Sequence, residues 1–127
     1  MKVLIYSSGN GEFNRRLVRV AGVLIPPENI DIHHTIESFR SRLNRPGRQW
    51  GLIVALAASQ QELRDISSFG SLLDDTRLML ILPDRSKESL KTGLSLRPRF
   101  LSYIDGDFIE IAAVLGYMLG RQRTKEA

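Results

Sequence analysis

Ser7, Ser8, Gly9, Asn10, Gly11 and Glu12 stand in one unbroken run, SSGNGE, between an apolar stretch and an amphipathic one. Hydroxyls and backbone amides gathered where a strand hands over to a helix suit an anion, because the first N–H groups of a helix lack partners and its dipole favours negative charge there. The same composition is also ordinary turn chemistry, with glycine free to take backbone angles that other residues avoid. Some anion or a nucleotide is what such a loop would take.

Other candidate chemistry is thin. His33 and His34 are adjacent on an alternating segment, so their rings point to opposite faces and cannot chelate one metal; exposed histidines on an edge strand are the expectation. The carboxylates Glu12, Asp84, Asp105 and Asp107 could converge at one end of a sheet and let two of them hold a divalent ion. Asp105 and Asp107 already have turn and capping duties, however. The chain has no cysteine, which removes disulfides, thiolate metal sites and thiol nucleophiles and fits a reducing compartment.

The net charge is +4, and fourteen of the 18 cations are arginine. Spread over many segments, that balance describes a solvated surface better than a nucleic-acid footprint. The sharpest cluster is Arg40, Arg42, Arg45 and Arg48, beside Trp50. Cations at a helix C-terminus are stabilised by its dipole, and Trp50 could stack on Arg48 or plug the base of a core. Docking of an acidic protein or of nucleic acid is the lesser alternative for this cluster.

Five apolar runs alternate with five amphipathic ones. Residues Lys2 to Tyr6 and Arg77 to Leu82 are continuous apolar runs, and so is the stretch from Trp50 to Ser59, WGLIVALAAS. Such runs suit strands covered on both faces. Asn29 to His34 and Arg99 to Ile104 alternate, as edge strands do. Between them, Phe13, Leu17, Val20, Ala21 and Leu24 recur at helical spacing, as do Ile36, Phe39 and Leu43, then Leu63, Ile66, Phe69 and Leu73. A short helix is expected over Lys87 to Gly93, and a last one carries Phe108, Ile111, Leu115 and Met118 and stops at Gly120. Ser59 with Glu62, and Asp107 with Glu110, have the spacing of capping boxes.

Strands alternating with helices imply a parallel sheet with right-handed helical crossovers. The fold expected is a single α/β domain over 1–120 with a basic tail over 121–127. Its architecture is flavodoxin-like: a doubly wound five-stranded parallel sheet of order 2-1-3-4-5 with helices on both faces. The amino-terminal apolar run is too short for a signal peptide and no segment approaches a membrane span, so a cytoplasmic protein is expected.

Over nearly its whole length this pattern resembles the receiver domain of bacterial response regulators, with five βα units, a short fourth helix and an amphipathic fifth. Receiver domains hold Mg²⁺ with two acids just after the first strand, and the matching residues here are Ser7 and Ser8. Their phosphoacceptor aspartate ends the third strand, where this chain has Leu56 between Ala55 and Ala57. Their hydroxyl residue after strand four falls at Leu82, and their lysine after strand five near Tyr103. The resemblance therefore implies a pseudo-receiver that is not an enzyme and holds no cofactor. It implies a protein partner of signalling type, a homodimer among the options, with neither membrane nor nucleic acid.

In the family such contacts commonly use the face of the fourth helix, fifth strand and fifth helix, which would include Lys87, Lys91, Tyr103, Phe108 and Tyr117. Core or rim packing is the plainer role for Phe108 and Tyr117. The alternative comes from the first loop: Ser7, Ser8, Gly9, Asn10 and Gly11 are similar to the flavodoxin phosphate loop, which implies a small-ligand, nucleotide or FMN-phosphate binder. The flavin-stacking aromatics of that family are absent from AASQQ and PDRSK.

Overall fold

Three of the five strands are buried along their whole length, and they are the three with continuous apolar runs: β1 (Val3–Tyr6), β3 (Leu52–Leu56) and β4 (Leu78–Leu82). β2 (Ile30–His33) and β5 (Phe100–Tyr103) are only half-buried. The computed structural model describes residues 2–9, 11–45 and 50–126, with side chains described as far as Gly120. All neighbours pair in parallel in the order β2-β1-β3-β4-β5, so the apolar strands occupy the centre and the alternating ones the edges. This is the flavodoxin-like doubly wound sheet expected from the sequence. A continuous apolar strand is stable only where helices cover both its faces, and the centre of such a sheet is the place that provides this.

The two-residue period of the strands divides the core. Leu4, Tyr6, Ile53, Ala55, Leu78, Leu80 and Leu82 face one side and meet Phe39 of α2 (Ile36–Leu43) and Leu63 and Ile66 of α3 (Gln60–Ser68). Val3, Ile5, Leu52, Val54, Leu56, Met79 and Ile81 face the other side. There they meet Leu17 and Ala21 of α1 (Glu12–Leu24) and Ile111, Leu115 and Met118 of α5 (Phe108–Glu126). Each such buried aliphatic side chain contributes about 1.5–3 kcal/mol relative to an exposed one. α4 (Lys87–Ser95) joins the first of these layers, packing against α3 and β4.

Local chemistry sets the helix ends. Thr35, Ser59 and Ser86 each accept a backbone N–H with the side-chain oxygen, from Ser38, Glu62 and Ser89 respectively. The capping box at Ser59 is half-formed: Glu62 does not reach back to Ser59 but accepts the Tyr6 hydroxyl instead. Asp107 caps α5 by accepting the Ile109 N–H at 2.9 Å.

Two boundaries differ from expectation. α4 runs on past Gly93 to Ser95, because Gly93 lies against the sheet: a Cβ there would come within 2.8 Å of Leu82 Cδ2. α5 continues through Gly120 to Glu126, so the segment taken for a tail is helical in its backbone. One glycine costs about 1 kcal/mol in a helix, and Arg, Gln, Lys and Glu in the residues that follow are good helix formers. Among the described residues, no helix is long and apolar enough to cross a membrane.

Candidate functional site

Ligands of open parallel sheets gather beyond the carboxyl ends of the strands, where the chain reverses between the central pair, here β1 and β3. β1 ends at Tyr6, and Ser7 follows it into complete burial. The Ser7 hydroxyl donates to Asn14 Oδ1 and accepts the Gly9 N–H at 3.3 Å. Its backbone N–H donates to His33 O at 3.0 Å, and its carbonyl lies 2.6 Å from His34 Nδ1. Gly9 takes φ 83 with its Cα against the His34 ring, 3.3 Å from where a Cβ would sit. The loop is thus folded onto α1 and the end of β2, and the Ser7 hydroxyl is engaged inside the protein. Ser8 and Gly9 are half-buried and Gly11 is exposed; Asn10 lies outside the described residues.

β3 closes with Leu56 and Ala57, both without exposure, and β4 with Leu82, equally buried. The positions that match the receiver family's acceptor and hydroxyl residue are therefore part of the two core layers. Tyr103, near the family's lysine position, is half-buried at the end of β5, with the Arg85 guanidinium 4.2 Å above its ring. Arg85 also reaches Asp105 at 3.1 Å.

The four carboxylates do not share one site. Glu12, Asp105 and Asp107 line an open cavity of about 390 Å³ between the start of α1 and the turn after β5, together with Arg16 and Phe108. Asp84 lies apart, accepting the Ser86 N–H at 2.9 Å and the Gln60 amide at 3.2 Å. Hydrogen bonds from Ser86, side chain first and backbone second, hold its carboxyl down at about 2. Among the described residues no three His, Cys, Asp or Glu side chains form a cluster able to hold a metal ion.

At the β2 edge, Asp31 sits between Arg42 and His33. Arg42 Nε is 2.6 Å from Asp31 Oδ2 and His33 Nε2 is 3.0 Å from Asp31 Oδ1. Of the histidines expected to be exposed on the edge strand, His34 is exposed and His33 half-buried; His33 lies beside Asp31 and His34 against the first loop. Asp31, His33, Arg42 and Arg45 line a groove with Ser38 and Ser41. Trp50 packs against the core and takes Arg42, at 5.4 Å from its ring, as its cation. Arg48, expected there, lies outside the described residues; Arg40 and Arg45 are exposed.

Of the residues assigned to the face of α4, β5 and α5, Lys87 and Lys91 are exposed on α4 and Tyr117 is 65% exposed on α5. Phe108 does not belong to that face. It packs edge-on against Phe13 of α1 at 5.4 Å and lies under Arg16 at 4.3 Å, because the first turn of α5 starts beside α1.

Sequence reasoning missed two features, and only the first left a signal in the sequence. Asn14 stands three and seven residues before Leu17 and Ala21, a polar residue on a buried stripe that needs an inward partner, and Ser7 supplies it. Tyr6 and Glu62 join residues 56 apart, a contact that no local spacing reveals.

No family model matches the chain, and no curated protein matches it. Among solved structures, a protein of Burkholderia pseudomallei K96243 provisionally described as pilus assembly-related superposes with a TM-score of 0.62. The match covers 94% of this chain and 90% of that one at 14% sequence identity, a likeness of fold.

Proposed function

We propose that this chain is a pseudo-receiver: a cytoplasmic, non-catalytic protein-interaction module of bacterial signalling that accepts no phosphoryl group. The observation that carries the reading is the state of Leu56. It ends β3 with no exposure, its strand neighbour Ala57 is equally buried, and a leucine offers no oxygen to a phosphoryl donor. Phosphoryl transfer on this architecture needs a metal, an acceptor and a charge-stabilising cation acting as one unit. At the matching positions stand the internally bonded Ser7, the buried Leu56 and the half-buried Tyr103. A scaffold with these groups in place of the family's acids and lysine keeps its surface as its means of action, and Lys87, Lys91 and Tyr117 are exposed on that surface.

Incubation with acetyl phosphate and Mg²⁺, followed by intact-mass measurement, tests this reading. The expected result is an unchanged mass; a stable aspartyl phosphate overturns it. Thermal shifts with phosphate-bearing ligands test the loop Ser7 to Glu12 in parallel. A shift abolished by Gly9→Val would make the protein a small-ligand binder instead.

A further inference from the structure

Core packing does not account for the flank of α2 beside the edge strand. Ser38, Ser41 and Arg42 stand three and four residues apart, so they share one side of the helix. Arg45 follows on the same side just past its end, where its N–H still bonds Arg42 O at 3.4 Å. Asp31 and His33 are two residues apart on β2 and therefore point the same way. These six residues line a groove of about 460 Å³, the size of a small-metabolite site.

Arg42 sets the character of that groove. Its Nε donates to Asp31 Oδ2 at 2.6 Å and its guanidinium carbon lies 5.4 Å from the Trp50 ring, which leaves the side chain held in place and only 18% exposed. Nη1 and Nη2 make no hydrogen bond among the described residues, yet neither is sealed from solvent. A guanidinium fixed along one edge with its fork free is laid out for an oxyanion. Arg45 and Ser41 are exposed beside it, and neither side chain has an ion pair or hydrogen bond among the described residues.

We propose that this groove binds the phosphate group of a small phosphate monoester, non-covalently. The proposal goes beyond the interaction-module reading and does not depend on it. The oxygen count favours phosphate over carboxylate. One guanidinium fork satisfies both oxygens of a carboxylate, whereas a phosphate monoester has three terminal oxygens, enough for Arg42, Arg45 and the Ser41 hydroxyl together. Ser38 borders the site with its hydroxyl already bonded to Thr35. Charge decides in the same direction. Two arginines stand against the single charge of Asp31 and about half a negative charge from the C-terminus of α2, so the groove stays positive. His33 adds to that side when protonated. Cations that hold a nucleic-acid backbone stand out from the surface, whereas Arg42 is recessed, so a small ligand suits the groove better.

Amide NMR titration of the full chain tests this, with inorganic phosphate, adenosine monophosphate and free phosphoserine as probes and acetate as the carboxylate control. The expected result is saturable movement of the Ser41, Arg42 and Arg45 signals at probe concentrations up to about 10 mM, with acetate at least about tenfold weaker. Tighter binding of adenosine monophosphate or phosphoserine than of inorganic phosphate assigns the site to a phosphate on a carrier; equal binding assigns it to the phosphate alone. Arg42→Lys keeps the charge facing Asp31 but removes the fork, and Arg45→Gln removes an exposed cation; each weakens binding about tenfold with unchanged far-UV circular dichroism. Arg19→Gln, on the exposed side of α1, lowers the net charge equally and leaves the affinity as it was. No saturable binding, acetate binding as tightly as phosphate, movement confined to Ser8 and Gly9, or equal weakening by Arg19→Gln overturns the proposal. So does a DNA duplex that moves the groove signals where the small phosphates do not. Because the interaction-module reading has its own mass test, an unchanged mass with no phosphate binding overturns the groove alone.

Discussion

The Tyr6 hydroxyl donates to Glu62 Oε1 across 2.6 Å, tying the end of β1 to the first turn of α3 over a separation of 56 residues. Tyr6 is 2% exposed and its ring lies 5.4 Å from that of Phe39, so one side chain serves both core packing and a polar clamp at the carboxyl end of the sheet.

Burial first, and the Glu62 carboxylate second, push the Tyr6 phenol above its ordinary value. In the unfolded chain tyrosine loses its proton near pH 10, whereas the folded protein keeps it. The folded state therefore binds more protons above that point, and stability present below pH 10 declines as pH rises beyond it. Urea unfolding at stepwise alkaline pH should show this decline, and Tyr6→Phe should remove it. The same variant should be less stable by about 1–2 kcal/mol at neutral pH, since Glu62 loses its donor. A wild-type alkaline limb that survives in Tyr6→Phe would show that another group is responsible.

Asp84 behaves in the opposite sense. Its carboxyl is held at about 2, below its ordinary 3.8, by Ser86, so its contribution is present above 3.8 and fades as pH falls through 2. An NMR titration of the side-chain carboxyl should find its midpoint well below the ordinary 3.8. Ser86→Ala should move it back up; an unmoved midpoint would mean that Ser86 is not the cause.

Leu56→Asp should not restore phosphoryl acceptance. The new carboxylate would enter a site without exposure and without a metal cluster among the described residues, at a loss of at least about 3 kcal/mol. Thermal melting should fall accordingly, and acetyl phosphate should leave the mass unchanged. Phosphorylation of this variant would imply that the pocket is far more open than Leu56 indicates.

Two glycines should respond in opposite directions. Gly93→Ala forces a methyl to within 2.8 Å of Leu82 Cδ2 and should destabilise the protein by about 1–3 kcal/mol. Gly116→Ala meets nothing within 4 Å and should stabilise the isolated chain by up to about 1 kcal/mol through helix propensity. Chemical denaturation at low protein concentration reads both, and equal effects would contradict the packing of α4 on β4.

The amino-acid sequence by itself determined the fold class, the strand order and the apolar end of β3. Continuous apolar runs need two covered faces and alternating ones need a single covered face, so the pattern of Val3 to Tyr6, Leu52 to Leu56 and Leu78 to Leu82 already separates centre from edge. Local signals also found the cap at Ser59, because capping acts within three residues. Tertiary structure alone decided which groups the polar side chains would meet. It gave Glu62 to Tyr6, Asn14 to Ser7, Arg42 to Asp31 and Phe108 to Phe13. Only Ser7 and Asn14 lie within one βα turn; the other pairs span separate elements, and their meeting depends on how helices settle on a twisted sheet, which hydrophobic period does not encode.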